Sequence, residues 1–305
     1  MNEKIAVVRE IFKRYGKIQA LRGLSFEVGR EILGLVGPNG AGKTTTIRIL
    51  MGLTKPDKGD VLVLGLNPWK DGHLLRIKTG VLHEKPQFPP WLSGFSFLER
   101  IAKLKLIQDP KKASLEALSM FGLKDALDRK IGGYSAGMVQ RLGLAQAFMG
   151  DPELVILDEP TANLDPPGRS FVLERIIELQ RERSISVIIS THILSELEKI
   201  CNTVVFIKNG KVVESGPLNF LRKKYFGEVF RLKTSNDPLV IKALGKVKGI
   251  KAKKDEEGIL VFFQDYEDDI SRNLMKTLCA LGIGIERLYK VEPTLDELYR
   301  SVMVR

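Results

Sequence analysis

The sequence Gly37-Pro38-Asn39-Gly40-Ala41-Gly42-Lys43-Thr44-Thr45 decides the fold, because it matches the pattern G-x-x-x-x-G-K-[ST] in a strand-to-helix setting. An apolar run at 31–36 precedes it and a second one at 46–51 follows it. The glycines let the loop fold tightly and turn its N–H groups toward phosphate oxygens. A helix that begins near Gly42 adds the positive end of its dipole. The sequence therefore predicts a phosphate-binding loop.

The Lys-Thr pair distinguishes this loop from an ordinary glycine-rich turn. Lys43 is a flexible cation that can reach the β- and γ-phosphates, and the Thr44 hydroxyl can ligate Mg²⁺. A glycine pair alone would favour a tight connection between a strand and a helix. We expect a nucleoside triphosphate to bind across residues 37–45.

The length and composition indicate a folded protein of more than one domain. With 305 residues, 44% of them hydrophobic and 28% charged, the chain has enough apolar sequence for one large domain and a smaller one. It has no apolar run of about 18 residues, and its amino terminus lacks a signal-peptide pattern. Cys201 and Cys279 have neither metal-ligand nor disulfide spacing, so we expect both to be buried in a reduced, cytosolic protein.

The positive charge is concentrated toward the carboxyl end. The net charge is +11, and residues 221–260 hold 11 Lys/Arg against 5 Asp/Glu. Such a patch can meet nucleic acid, anionic lipid headgroups or an acidic partner, or it can be an ordinary solvated surface. Composition leaves these alternatives open.

Hydrophobic patterning predicts an α/β core with a helical insert. The expected strands of the core are 5–15, 20–28, 60–64, 79–82, 154–157 and 186–190, the last two parallel and separated by a helix at 167–183. An irregular connector at 86–94 leads into helical periodicity from 95 to 150, where Phe97, Ile101 and Leu104 recur at helical spacing.

A second, smaller domain is expected after a boundary near 216–227. Its predicted elements are strands at 228–233, 247–254, 258–264 and 283–290, helices at 238–244 and 268–281, and a final helix from Thr294. The βαββαβ order matches a ferredoxin-like unit. Because it carries no catalytic constellation, we expect a regulatory or contact role.

Two acidic residues follow the apolar run 154–157. Asp158 and Glu159 come directly after this buried strand, at the end where α/β sheets place their ligands. Asp158 is suited to hold Mg²⁺ through a water, and Glu159 to polarise an attacking water. An acidic turn is the plain alternative, and the phosphate-binding loop upstream argues against it.

The segment Tyr134-Ser135-Ala136-Gly137-Met138-Val139-Gln140-Arg141 resembles the signature of ATP-binding-cassette (ABC) ATPases. The order of the other motifs is similar to that family: Tyr15 before the loop, residues 162–165 as the D-loop and 190–192 with the switch histidine. The resemblance covers about 1–218, and 294–305 is similar to the tail of the ABC-2-type exporter branch.

The resemblance implies a fold and a domain plan. The expected core is a P-loop ABC ATPase, with a mixed sheet, an antiparallel β subdomain and a helical subdomain at about 95–150. We expect the ATP-binding domain at 1–218, a linker at 219–227 and an accessory, ferredoxin-like α+β domain at 228–305.

The resemblance also implies roles for individual residues. Tyr15 would stack on adenine, Ser135 and the Gly137 amide would bind the γ-phosphate held by a second subunit, and Asp165 would link the two sites. His192 would contact the γ-phosphate and the water, beside catalytic Glu159 and Lys43. Taken alone, Ser135 predicts only a helix cap and Asp165 only a turn.

The sequence departs from the family pattern in two motifs, the signature and the Q-loop. Ala136 stands at the signature's central glycine and Tyr134 at its leading leucine. At the Q-loop glutamine, which would meet Mg²⁺ or the water, this chain has Glu84, and Gln87 is the rival. Glu84 is favoured because it follows the predicted strand at 79–82.

The function that the resemblance implies is ATP- and Mg²⁺-dependent transport. A homodimer, or a pair with a similar cassette, would close around two ATP molecules and drive a separate transmembrane permease of exporter type. The chain would then be cytoplasmic, held at the inner face of the membrane by its permease. The alternative is a soluble ABC mechanoenzyme acting on nucleic acid or ribosomes. The chain has one cassette and no long heptad pattern, which disfavours this alternative.

Overall fold

The structure, a computed structural model, describes residues 4–247, 249–263 and 268–304. The chain divides into two compact units, Met1–Gly216 and Pro217–Arg305. The elements of the first unit are β1 (Ala6–Tyr15), β2 (Ile18–Val28), β3 (Ile32–Val36), α1 (Lys43–Leu50), β4 (Lys58–Val63), α2 (Gly72–Lys78), β5 (Thr79–Leu82), α3 (Gly94–Leu104), α4 (Pro110–Met120), α5 (Ala136–Phe148), β6 (Leu154–Asp158), α6 (Pro166–Arg183), β7 (Ser186–Ser190), α7 (Leu194–Ile200), β8 (Thr203–Lys208) and β9 (Lys211–Pro217).

A six-stranded sheet in the order β5-β6-β7-β3-β8-β9 forms the centre of the first unit. Strands β5, β6, β7, β3 and β8 are parallel, so their carboxyl ends meet along one edge. Every residue of β3, β6 and β7 is buried, as expected for strands covered on both faces. The predicted parallel core is confirmed.

An antiparallel sheet in the order β2-β1-β4 completes the α/β core. One hydrophobic core joins the two sheets around α1, with Ile47 of α1 packed among Leu24 of β2 and Ile156 of β6. The helix that follows the phosphate-binding loop is therefore held from both sides.

The helical insert contains α3, α4 and α5, as predicted. Its first helix, α3, buries Leu98 and Ala102. Leu104, which the periodicity placed in the apolar stripe, is 76% exposed. The helix is therefore where the pattern predicts it, but part of its apolar stripe faces solvent.

Several short elements were not predicted. Helices α2 and α7 span seven residues each, and strands β8 and β9 are joined by Asn209 and Gly210, both at positive φ. An Asn-Gly pair between apolar runs is a strong hairpin signal, so this turn was readable from the sequence. None of the helices in the described part of the chain has the length and apolarity that crossing a bilayer requires.

The second unit has the predicted ferredoxin-like order. Its elements are α8 (Leu218–Phe226), β10 (Glu228–Thr234), α9 (Asp237–Leu244), β11 (Ile250–Asp255), β12 (Gly258–Phe263), α10 (Asp268–Ala280), β13 (Ile285–Val291) and α11 (Leu295–Met303). The sheet order is β11-β12-β10-β13, with every neighbouring pair antiparallel. The stretch predicted as a linker, 219–227, is helical in α8 up to Phe226. The end of the strand predicted at 258–264 reaches residue 264, which lies outside the described residues.

The two cysteines differ in burial. Cys201 is buried, and burial raises the pKa of its thiol well above the usual value. Cys279 is exposed, so the prediction that both are buried is wrong for this residue. The reason is its helical position: α10 buries Leu274 and Leu278, and Cys279 lies one residue past this stripe.

Candidate functional site

The phosphate-binding loop lies between β3 and α1 at the carboxyl edge of the sheet. Gly40 has φ 77° and Gly42 has φ 113°, conformations that favour glycine. A Cβ at Gly37 would lie 2.3 Å from the Ile207 carbonyl oxygen. The loop thus needs glycine at 40 and 42 for its turns and at 37 for a close approach to β8.

Lys43 begins α1 and turns back over the loop. Its Nζ donates to the carbonyl oxygens of Gly37 at 2.7 Å and Pro38 at 3.3 Å. Burial lowers its pKa, while the carboxylates of Glu159 and Asp158 act in the opposite direction. The predicted loop lysine therefore lies in the electrostatic field of both predicted acids. Thr44 is exposed in the first turn of the same helix.

Asp158 ends β6 as a buried carboxylate, 6% exposed. It is paired in register with Ser190 of β7, whose hydroxyl donates to Asp158 Oδ1. Burial raises the pKa of Asp158, the neighbouring carboxylates add to that rise, and the Ser190 hydroxyl opposes it. A cation bound here would favour the ionised form.

Glu159 follows Asp158 in a strained backbone conformation, with φ 52°. Its N–H donates to the Ser190 carbonyl oxygen at 2.8 Å, and its own carbonyl accepts from Gln140 Nε2 at 2.9 Å. Gln140 is buried on α5, the helix that carries the signature. The two bonds fix Glu159 between β7 and α5.

The Glu159 carboxylate is held by His192. The His192 N–H donates to Oε1 at 3.0 Å, and His192 Nδ1 lies 2.9 Å from Oε2. A carboxylate oxygen accepts the hydrogen bond, so in this contact the proton lies on His192 Nδ1. The His192 side chain is exposed and that of Glu159 largely buried. The predicted acid and histidine therefore form one pair at the open edge of the sheet.

Glu84 and Gln87 both follow β5, which lies beside β6 in the sheet. The Glu84 charge adds to the rise in the Asp158 pKa, so this carboxylate acts on the predicted metal-binding group. Glu84 as the Q-loop residue, with Gln87 as its rival, stays a prediction.

Tyr15 ends β1 with its ring 42% exposed and the Lys13 ammonium 5.6 Å from the ring centroid. Tyr15 pairs with Ile18 at the start of β2. Two residues on, the Ala20 carbonyl oxygen lies 3.0 Å from where a Cβ of Gly42 would stand. This turn therefore brings an exposed aromatic ring to the strand that abuts the phosphate-binding loop.

The signature residues form the amino terminus of α5. Ser135 is the N-cap, and its Oγ accepts from the Met138 N–H at 3.2 Å. Ala136 is exposed at the first helical position. Tyr134, at the leucine position of the motif, donates its hydroxyl to the Ala126 carbonyl at 2.9 Å. Both departures are accommodated: Ala136 meets solvent, and Tyr134 ties the signature to the helical insert.

The D-loop packs against the signature. A Cβ at Gly137 would lie 3.4 Å from the Asn163 carbonyl oxygen. Asp165 is the N-cap of α6 and accepts from the Gly168 N–H at 3.2 Å. Signature and D-loop together line a cleft of about 620 Å³. None of the described loop residues 37–45 lines this cleft.

The sequence reasoning missed two residues of this site. Gln140 and Ser190 were quoted within motifs without a role, yet they hold Glu159 and Asp158. Their contacts depend on sheet register and on the packing of α5. The sequence alone offers no spacing that would reveal them.

The chain resembles known proteins in sequence and in structure. A family model described as ABC transporter matches residues 21–162. An uncharacterized ABC transporter ATP-binding protein of Bacillus subtilis, YxlF, is 33% identical, and the match spans 97% of this chain and 98% of that protein. The bacitracin transport ATP-binding protein BcrA of Bacillus licheniformis is 38% identical over 76% of each chain.

Solved structures resemble a large part of the chain. One, an ATP binding subunit of an ABC transporter, has a TM-score of 0.68 at 28% identity and covers 72% of this chain and 93% of that one. Another, the dimeric post-hydrolysis state of the ATP-binding cassette MJ0796 with ADP and Pi, has a TM-score of 0.64 at 24% identity. It covers 70% of this chain and 98% of that one, and at this identity it shows the fold alone.

Proposed function

The chain belongs to the ABC transporter ATP-binding proteins, and from this premise we propose that it is the ATPase subunit of an exporter. In this proposal two copies close around two ATP molecules, and hydrolysis reopens them. The movement drives a separate membrane permease. The chain is held at the cytoplasmic face of the membrane by that permease.

The proposed dimer rests on the separation of the phosphate-binding loop from the signature within one chain. The phosphate-binding loop, Asp158 and the Glu159–His192 pair belong to the carboxyl edge of the sheet, whereas Ser135 and Gly137 line a different cleft. A single chain therefore presents two separate halves of a site. A second copy, related by twofold symmetry, can place its signature over the first copy's loop and the reverse, which is an isologous contact.

The residues present fit a magnesium ion that arrives with the nucleotide. The Thr44 hydroxyl, the Asp158 carboxylate and phosphate oxygens form the hard-oxygen ligand set that Mg²⁺ prefers. Within the described residues no cluster of three or more His, Cys, Asp or Glu side chains could hold a metal alone. Such an ion, when bound, neutralises phosphate charge. Glu84 is proposed to meet it or the attacking water.

The protein's own groups have separate tasks in the proposed reaction. The loop amides and Lys43 bind and orient the β- and γ-phosphates, and the Tyr15 ring stacks on adenine. Glu159 accepts the hydrogen bond of the attacking water and draws its proton. His192 holds Glu159 and is proposed to contact the γ-phosphate and the attacking water. Ser135, the Gly137 amide and Asp165 act from the second copy.

The permease is proposed to dock in a groove of about 500 Å³ formed by α2, β5, α3 and α5, here named the docking groove. The residues that line it are Met51, Leu53, His73, Arg76, Ile77, Thr79, Gly80, Val81, His83, Ile101, Leu104, Lys105 and Gln146. Leu53 and Leu104 are exposed at it. Exposed apolar side chains beside a groove favour a protein partner. His83 is adjacent to Glu84, which places the groove next to the site.

The direction of transport is proposed from the relatives. BcrA is named as a bacitracin transport protein. A match over almost the whole of YxlF extends the likeness into the second unit. The linearmycin resistance ATP-binding protein LnrL of Bacillus subtilis, 30% identical over 97% of each chain, is named for resistance, which export would confer. We propose an exporter on this basis, without a cargo.

Two experiments test the proposed function. Purified wild-type chain is expected to release phosphate from Mg-ATP, and Lys43→Ala and Glu159→Gln are expected to abolish that release. Tagged chain is expected to co-purify from detergent-solubilised membranes with a protein of several membrane spans. ATPase activity that survives in both variants would overturn the assigned chemistry, and the absence of any such membrane protein would overturn the transport role.

A further inference from the structure

The docking groove carries charge of one sign. Four of its lining residues are basic or can become cationic, and these are His73, Arg76, His83 and Lys105. No aspartate or glutamate lines it within the described chain. The other side chains are mostly apolar. Such a groove favours a partner whose surface is mainly apolar and carries one negatively charged group.

Lys105 is a partly buried cation of the docking groove with a single hydrogen-bond acceptor from the described chain. It follows α3 and is half-buried, and its Nζ donates to the Thr79 carbonyl oxygen at 3.0 Å. No carboxylate of the described chain lies in ion-pair contact with this ammonium. Burial lowers the pKa of Lys105 to about 8, so the group is still cationic at neutral pH. An ammonium has three donors, and a lone carbonyl acceptor leaves hydrogen-bonding capacity for another group.

A neighbouring lysine shows the contrast. Lys103 lies two residues earlier and is exposed, and its Nζ contacts Glu99 at 2.9 Å. The chain therefore provides a carboxylate for the lysine that water already solvates. It provides none, among the described residues, for the lysine in the docking groove. A carboxylate that pairs with Lys105 is therefore best supplied by another molecule.

We propose that the docking segment of the permease carries an aspartate or glutamate whose carboxylate pairs with the Lys105 ammonium in the docking groove. This inference rests on the proposed function, because the permease is the partner that supplies the carboxylate. A nucleic acid or a lipid headgroup is also anionic. Neither matches a concave groove lined mainly by side chains such as Leu53, Ile101 and Leu104.

Zero-length cross-linking tests the contact directly. The full-length tagged chain is bound to membranes of its own cell solubilised in detergent, and treated with a water-soluble carbodiimide. This reagent joins a carboxylate to an amine in direct contact as an amide. Mass spectrometry is expected to find Lys105 joined to an acidic residue of a protein with several membrane spans. The link between Lys103 and Glu99 within the chain shows that the reagent has acted.

Matched variants separate the pairing from the docking itself. Lys105→Met is expected to lower the amount of membrane protein captured at least about tenfold, the loss typical of truncating one partner of a desolvated charge pair. Lys103→Met, the same change two residues earlier in the chain, is expected to capture as much membrane protein as wild type.

The outcomes distinguish a failure of the Lys105 pairing from a failure of the proposed function. Membrane protein captured without a Lys105 link, or captured equally by Lys105→Met, overturns the pairing and leaves the proposed function standing. No capture by the wild-type chain overturns the proposed function and the pairing with it. A melting temperature of Lys105→Met at or above that of wild type shows that lost capture does not come from misfolding.

Discussion

Replacing Gln140 by methionine tests how the catalytic glutamate is held. Gln140 is 1% exposed, and its Nε2 donates to the Glu159 carbonyl at 2.9 Å. Methionine has a similar volume and no donor, so the change removes this bond without opening a large cavity. Glu159 has φ 52°, a conformation that needs support from its surroundings.

The expected magnitude follows from these contacts. Losing the donor removes about 1 kcal/mol of net hydrogen bonding, and a buried carbonyl without a partner costs about 1–3 kcal/mol. The backbone strain of a glutamate at positive φ is also about 1–3 kcal/mol. Because the lost hydrogen bond is worth about as much as this strain, the Glu159 peptide is free to relax once the bond is removed. A comparable loss in transition-state stabilisation lowers kcat about tenfold to hundredfold. Lys43 and the loop are untouched, so KM for ATP is expected to change little.

The assay is steady-state phosphate release across ATP concentrations, with thermal unfolding measured on the same samples. Gln180→Met on α6, the same chemical change away from the site, is the control and is expected to keep wild-type kcat. An unchanged kcat in folded Gln140→Met protein would refute the argument that this bond positions Glu159. A loss expressed only in KM would do the same.

Three further predictions follow from the site and the groove. His192→Ala removes the imidazole contact to the Glu159 carboxylate and is expected to lower kcat about 100-fold or more. ATP binding, measured by fluorescence titration, is expected to be retained, and an unchanged kcat would contradict the catalytic role of the Glu159–His192 pair. Ser190→Ala removes the hydroxyl that lowers the pKa of Asp158, so that pKa is expected to rise further. As the pH falls, the variant is therefore expected to lose ATPase activity at a higher pH than wild type does, and superimposable pH profiles would contradict this. Burial lowers the pKa of Lys105 to about 8 in the folded protein, below the usual 10.5, so between these pH values the unfolded chain binds more protons and the stability contributed by this residue rises with pH. The melting temperature of Lys105→Met is expected to lack that rise, and an identical pH dependence of the two proteins would refute it.

The sequence predicted the sheet and the loop because their patterns are local. Buried strands such as 154–157 are continuous apolar runs, and the loop from Gly37 to Thr45 carries its chemistry in adjacent residues. The ferredoxin-like order of the second unit followed from alternating element types in the same way. These features need no knowledge of which residues meet in space.

What the sequence did not predict depends on contacts between distant segments. Ser190 reaches Asp158 only because β6 and β7 pair in that register, and Gln140 reaches Glu159 only because α5 packs under the loop after β6. The exposure of Leu104 on α3 was not predictable from periodicity, since an apolar stripe does not show which of its members pack against the rest of the fold. The misjudged burial of Cys279 has a local cause, because this residue lies one position past the buried stripe of α10.

The central claim is that one chain holds half of each ATP site, and sedimentation measures it most directly. Glu159→Gln protein, which binds ATP without turning it over, is expected to sediment as a monomer without nucleotide and as a dimer with Mg-ATP. Adding Ser135→Arg, which places a bulky side chain at the signature cleft, is expected to abolish that dimer while ATP still binds to each monomer. Glu159→Gln protein with an intact signature that stays monomeric while Mg-ATP is bound, or a dimer that persists after Ser135→Arg is added, would contradict the claim.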